Sequence, residues 1–267
     1  MLRFALGLEY DGSVFRGWQA QSHARGIQSE VERALGCVAN HRVEVTAAGR
    51  TDAGVHALIQ VVHFDANVDR GERGWVLGAN THLPGQVSAL WLRRVPGDFH
   101  ARYSALERSY RYVILNRAAR PAIARSHVCW VREPLAAERM HEAAQCLLGE
   151  HDFSSFRAAE CQSRTPVRRL TAVRVTQTGA YVQIDVTANA FLQHMVRNIA
   201  GTLIAVGRGV RPVAWVAEVL AAGDRTRGGV TAPPQGLYLR AIRYPTELGL
   251  PDEPPAVAIP DVGACPT

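Results

Sequence analysis

The stretch AGRTDAGVHA, residues 48–57, sets an arginine, a single aspartate and a histidine around two glycines, with apolar strand-like sequence running in and out. A surface turn needs none of these side chains, so their types raise a question of chemistry. Arg50 stands two residues before Asp52, and Gly49 and Gly54 allow close approach of the backbone. Asp52 is therefore a carboxylate beside positive charge, suited to act as nucleophile or base. Two plainer readings stand beside that one: Asp52 as N-cap of a short helix begun by AGVHA, or as a surface partner of Arg50. No second acid is obvious in the loop, which disfavours ordinary glycoside hydrolysis and its pair of carboxyl groups. His56 and His63 are seven residues apart across loop and strand. That spacing matches no common zinc pattern, so both read as structural and no metal is expected.

The composition narrows the partners. Thirty basic residues against twenty-four acidic ones give a net charge of +6, and since lysine is absent every one of the thirty is arginine. Arginine's planar fork binds phosphate in pairs of hydrogen bonds and stacks on bases, which fits a nucleic-acid partner. A GC-rich genome accounts for the missing lysines but not for the excess of basic over acidic residues. Without lysine, P-loop phosphate binding and Schiff-base chemistry are both excluded. No run of about 18 apolar residues exists and the first residues show no targeting pattern, so no membrane association and a cytoplasmic location are expected. Five scattered cysteines, odd in number and without a CxxC pair, suggest reduced thiols rather than disulfides or zinc.

The elements that must position the loop are legible in outline. Leu2, Phe4, Leu6, Leu8 and Tyr10 alternate with Arg3, Ala5, Gly7 and Glu9, the period of a half-buried strand. After a polar loop, Ile27, Val31, Leu35 and Val38 mark an amphipathic helix. RVEVTA and ALIQVVHFDA read as strands on either side of the aspartate loop. Tyr110, Tyr112 and Ile114 share one face of a further strand, where tyrosine is ordinarily core. Pro134 opens a helix with Met140, Ala144 and Leu147 on its stripe and Gly149 placed to end it. TAVRVTQTGAYVQIDVTA reads as a hairpin turning near Gly179. A helix from about Phe191 to Val206 carries Leu192, Val196, Ile199 and Leu203, with Arg197 at the edge of that stripe, where a guanidinium demands a partner. Pro212 and Gly223 bracket another helix, and a last strand carries Leu237. From about residue 246 the chain is too proline-rich and aperiodic to pack.

Strands joined by both hairpins and helices indicate an α+β fold of two domains, each with a mixed or antiparallel sheet covered by helices. The expected division is 1–105, carrying the aspartate loop, then 106–245, then a flexible tail at 246–267. Two halves of similar grammar suggest an active-site cleft between them.

GRTDAGVHA, FHARYSA, RSYRYVILN, HDFSSFRAAECQSRTPVRRL, FLQHMVRNIAGTLIAVGRG and APPQGLYLRAIRYP, in this order from about residue 2 to 245, resemble the tRNA pseudouridine synthase A (TruA) family. The resemblance implies the pseudouridine synthase fold and the isomerisation of uridine to pseudouridine at positions 38, 39 and 40 of the tRNA anticodon arm. It further implies no cofactor, and a homodimer as the working form. By the same resemblance Asp52 is the nucleophile, attacking either the ribose C1′ or the pyrimidine ring. Arg50 enters the RNA helix as the target nucleotide turns out, an extrusion needed because a stacked uridine hides its reactive atoms. Tyr110 stacks on the uracil, Arg197 pairs with Asp52, and Leu237 packs against the base. Gln193 after FL departs from what is usual in the family, without consequence for the mechanism. RTPVRRL, GRGVR and GDRTR would supply phosphate contacts through arginine alone. Two other readings remain: an RNA-binding protein of this fold without chemistry, and a related synthase with another RNA target.

Overall fold

The computed structural model of the protein describes residues 1–19 and 26–252. In chain order its main elements are β1 (Leu2–Tyr10), α1 (Ile27–Ala39), β2 (Thr46–Ala47), β3 (His56–Ala66), α2 (Gly71–His82), β4 (Val87–Arg94) and β5 (Glu107–Asn116). There follow β6 (Cys129–Val131), α3 (Ala137–Ala144), β7 (Gly149–Asp152), β8 (Val167–Thr178), β9 (Tyr181–Ala188), α4 (Met195–Gly207), α5 (Trp215–Ala222) and β10 (Leu237–Arg243). The fold is α+β, with parallel as well as antiparallel strand pairs. Packing separates two compact units, residues 1–108 with 238–252 and residues 109–237. The strand that closes the sequence thus groups, from Tyr238 onward, with the first unit.

In the first unit the strand order is β4-β1-β3-β10, with β2 on β3. β10 joins β3 in parallel, Tyr238 opposite His56 and Leu239 opposite Ala57. The alternation in β1 predicts one buried face, but Phe4 through Leu8 are all buried, because both faces of this central strand are covered. On one face Phe4 and Phe64, directly opposed across the ladder, pack with Trp75 of α2 at ring-centroid distances of 5.1–5.7 Å. On the other the Trp91 indole lies over Gly7, where an added Cβ would come within 2.3 Å of it. Ile27, Val31 and Leu35 are buried on α1 as the periodicity predicts. RVEVTA pairs only at Thr46–Ala47; Val43 and Val45 are buried without a ladder, and the Val45 N–H donates to Glu32 Oε1 of α1 at 3.1 Å.

The second unit carries β5, β9, β8 and β7 in that order, with β6 parallel to β5. Arg111 on β5 donates twice to Asp185 on β9, at 2.7 and 3.0 Å. The β8–β9 hairpin turns at Gly179, φ 56°, and α5 ends at Gly223, φ 61°, both as expected from sequence. Three helix boundaries differ. α3 starts at Ala137 rather than at Pro134. α4 starts at Met195 rather than Phe191, because the Gln193 carbonyl accepts from the Ala158 N–H at 3.0 Å and His194 lies in the left-handed region. α3 stops at Ala144 and passes into a tight turn over Gln145–Leu147, so Gly149, φ 96°, opens β7 instead of ending a helix.

One polar cluster holds α4 to the segments beside it. Asn198, 1% exposed, donates from Nδ2 to the Phe156 carbonyl at 2.7 Å, and its Oδ1 accepts from Arg225 at 3.0 Å and Thr231 Oγ1 at 2.7 Å. Both functions of the amide are satisfied, so truncation leaves donors and an acceptor stranded. Asn198→Leu is expected to destabilise the protein by about 2–4 kcal/mol in urea unfolding.

The four described cysteines are free thiols. Cys265 and residues 253–267 of the proline-rich tail lie outside the described residues, as do residues 20–25 of the first polar loop. Residues 246–252 include a 3-10 turn, Thr246–Leu248, and the buried Leu250. Among the described residues no helix is long and apolar enough to cross a membrane.

Candidate active site

The aspartate loop enters β3 through a turn. The Val55 N–H donates to the Asp52 carbonyl at 3.1 Å, and Gly54 sits third in this turn at φ 78°, a conformation that suits glycine. His56 then opens β3, so no helix follows and Asp52 is not a helix cap. Arg50 is exposed and has no hydrogen-bond or ion-pair partner among the described residues, which removes the surface pairing with Asp52.

What fixes this turn is backbone contact on both flanks. The Gln60 amide donates to the Gly49 carbonyl at 2.5 Å and faces the Gly49 N–H at 3.4 Å. Thr51 Oγ1 shares a hydrogen bond with the Tyr10 hydroxyl at 2.8 Å, and the Thr51 carbonyl accepts from the Trp18 N–H at 3.0 Å. Gly12 lies so close that an added Cβ would stand 1.9 Å from the Val55 carbonyl oxygen; at Gly17, φ 96°, it would stand 2.9 Å from the Thr51 carbonyl. The side chain of Asp52 is therefore carried on a backbone gripped from residue 49 to residue 56. Sequence reasoning missed Tyr10, Gly12, Gly17, Trp18 and Gln60. The available signals were an amide inside an apolar strand for Gln60 and a pair of glycines in a polar loop.

Each of the two histidines meets a backbone amide. The Gly12 N–H donates to His56 Nδ1 at 3.1 Å, and a backbone amide always carries its hydrogen, so Nδ1 is the acceptor. Asp11 Oδ1 lies equally near that nitrogen. The His56 ring stacks on Tyr238 at 4.8 Å. His63 Nδ1 likewise accepts from the Ala101 N–H at 3.1 Å.

Burial, reinforced by the nearby Arg3 charge, lowers the His63 pKa to about 4, and burial depresses His100 beside it in the same sense. In the unfolded chain histidine titrates near 6.5, so between these values the unfolded state binds a proton that the folded state refuses. Stability is expected to fall with pH below about 6.5, by up to about 1.4 kcal/mol per pH unit from His63, until about pH 4. Urea midpoints measured from pH 7 down to 4.5 check this, and His63→Asn should flatten the dependence.

The second unit holds three of the expected residues, each on a different element. Tyr110 is buried on β5 and meets Phe191 edge-on at 4.9 Å. Tyr112, on the same face, is core: its hydroxyl donates to the Pro233 carbonyl at 2.7 Å, and burial pushes the phenol far above its usual range. Arg197, half-buried in the first turn of α4, donates from Nε to the Ala232 carbonyl at 2.8 Å, while its own carbonyl accepts from the Ala232 N–H at 3.1 Å. The first of these bonds anchors the guanidinium at Nε. Leu237 is buried at the start of β10, behind Gly236, where an added Cβ would come 2.7 Å from the Val113 carbonyl. The structure thus groups Arg50 and Asp52 on one turn of the first unit and sets Tyr110, Arg197 and Leu237 in the second.

A family model described as tRNA pseudouridine synthase matches residues 8–104 and 143–245, which include the gripped turn, Arg197 and Leu237, with Tyr110 between the two stretches. The chain belongs to this family. Pseudouridine synthases are isomerases. A protein of Methylococcus capsulatus named tRNA pseudouridine synthase A is 58% identical over 93% of this chain and 92% of its own length. Proteins of the same name from Coxiella burnetii and Escherichia fergusonii are 54% and 53% identical, each over more than nine-tenths of both chains. The pseudouridine synthase relatives therefore match this chain almost end to end.

Proposed function

We propose that this pseudouridine synthase acts on the anticodon arm of tRNA, isomerising uridine to pseudouridine at positions 38, 39 and 40 with Asp52 as nucleophile. The observation that carries the assignment of Asp52 is the grip on its turn. A carboxylate carried on a backbone held from both flanks loses less conformational freedom when it attacks, so part of the entropy of alignment is met in advance. The C1′–N1 bond breaks, the uracil turns while held, a C1′–C5 bond forms, C5 loses its proton and N1 gains one. Atoms and charge balance without oxidant, reductant or metal, so the chemistry calls for no cofactor. Attack at C1′ and attack on the ring are both compatible with this balance.

The other roles follow from the resemblance. Arg50, exposed on the same turn, enters the RNA as the target nucleotide leaves the stack. Tyr110 stacks on the uracil, Arg197 pairs with Asp52 in a cleft between the two domains, and Leu237 packs against the base. The working form is a homodimer in the cytoplasm, one subunit gripping the tRNA body while the other presents its cleft.

The test uses tRNA transcripts with tritium at uracil C5, since the new bond must expel that hydrogen. Release that maps to positions 38–40 supports the proposal. Release elsewhere would make the protein a synthase with another target, and salt-dependent RNA binding without release would make it a binding protein only.

A further inference from the structure

The loop between β4 and β5 displays a ring that its fold does not need. Tyr103 is 77% exposed, although tyrosine gains most from burying its apolar body. Beneath it runs a column of rings into the first unit: Tyr103 on His100 at 4.3 Å and 32°, His100 on His63 at 4.8 Å, His63 on Phe99 at 6.1 Å, Phe99 on Tyr244 at 5.4 Å.

The loop that carries Tyr103 is rigid. Ala101 is held from both sides, its N–H donating to His63 and its carbonyl accepting from the Tyr244 hydroxyl at 2.6 Å. His100 Nδ1 accepts from the N–H groups of both Arg102 and Tyr103, at 3.2 and 3.3 Å. Ser104 closes the turn on His100 through its backbone N–H at 2.8 Å and its Oγ at 3.0 Å. Arg108 binds the carbonyls of Ala105 and Ala48 at 3.1 Å each, and that of Arg102 more closely still. The outer ring and the Arg102 guanidinium, 5.8 Å from its centroid, are both exposed.

We propose that Tyr103 is a stacking platform for an unpaired nucleobase of the RNA substrate, with Arg102 holding the adjoining phosphate. This rests on the RNA-modifying reading above and adds a contact to it. An aromatic face stacks on any base regardless of sequence, and a rigid platform loses little freedom in doing so. The paired arginine and the chain's net charge of +6 favour a polyanion over another protein surface.

The experiment measures binding of a fluorescein-labelled tRNA transcript to the wild type, Tyr103→Leu, Tyr103→Phe and Arg102→Gln across a range of salt, together with tritium release. Tyr103→Leu is expected to bind roughly 5- to 100-fold more weakly with an unchanged slope of log affinity against log salt, because stacking displaces no counterions. KM rises in step while kcat at saturating tRNA holds, Tyr103→Phe stays within about twofold of the wild type, and the melting temperature is unaltered. Arg102→Gln should reduce the salt slope by about one. Wild-type affinity in Tyr103→Leu overturns the proposal. So does a changed association state of the RNA-free Tyr103→Leu protein in sedimentation, which would make the ring a self-association contact. Absence of tritium release from every protein, wild type included, would sink the synthase reading while leaving the platform to be judged by binding alone.

Discussion

Asp52→Asn is expected to release no measurable tritium from C5-labelled tRNA, at least about 10⁴-fold below the wild type, while folding and binding tRNA normally. The amide keeps the size and shape of the carboxyl but is a poor nucleophile. The turn is held by groups that the substitution leaves in place. Its hydrogen bonds run through the backbone of Gly49, Asp52 and Val55 and through both the hydroxyl and the carbonyl of Thr51. Thermal unfolding should therefore be near that of the wild type, and filter binding should give a similar dissociation constant. Substantial release by a folded Asp52→Asn protein would remove Asp52 from the chemistry. Loss of release together with loss of fold would instead give the side chain a structural role.

Gly12→Ala should have the next largest effect, though residue 12 bears no functional group. A methyl there would stand 1.9 Å from the Val55 carbonyl oxygen and 2.6 Å from its carbon, and both obstacles are backbone. Either the segment around residue 12 retreats, which strains the Gly12 N–H bond to His56, or the turn carrying Asp52 shifts. A displacement of an ångström at a reacting group costs on the order of 10²-fold in rate, so kcat is expected to fall about 10- to 100-fold with about 2–3 kcal/mol of stability lost. Gly85→Ala is the control, since nothing stands within 4 Å of a methyl there, and it should be silent in both assays. Full activity in Gly12→Ala would show that the turn tolerates movement and that its grip is not what aligns Asp52.

The sequence revealed most where a single period ran unbroken. Residues Ile27, Val31 and Leu35, the hairpin at Gly179 and the helix ended by Gly223 are local patterns, and each element formed where its pattern lay. α2 escaped notice because GERGWVLGANTH carries three glycines, poor helix formers, and buries only Trp75 and Ala79; its stability comes from packing on β4 and α1. The start of α4 was misplaced because apolar Phe191 and Leu192 extend the helical stripe, while a tertiary bond to the Gln193 carbonyl and the backbone of His194 decide where the helix begins. The functional group of the turn was plain in RTDAG, but the grip was not. It joins residues 10–18 and 60 to residues 49–56 through close approach and backbone bonds, which no spacing in one sequence reports.

That the first unit is assembled from residues 1–108 and from 238 onward has a consequence during synthesis. β3, buried along most of its length, emerges early, but its parallel neighbour β10 is made only after residues 109–237. At a translation rate of about 5–20 residues per second, those residues take roughly 6–26 s. For that interval the His56–Ala57 end of β3 lacks its parallel partner, and an unpaired strand edge is the kind of surface that recruits other strands. The ribosome-bound protein is thus in greatest need of a holding chaperone midway through translation, and deleting the last strand should leave the N-terminal unit prone to aggregate.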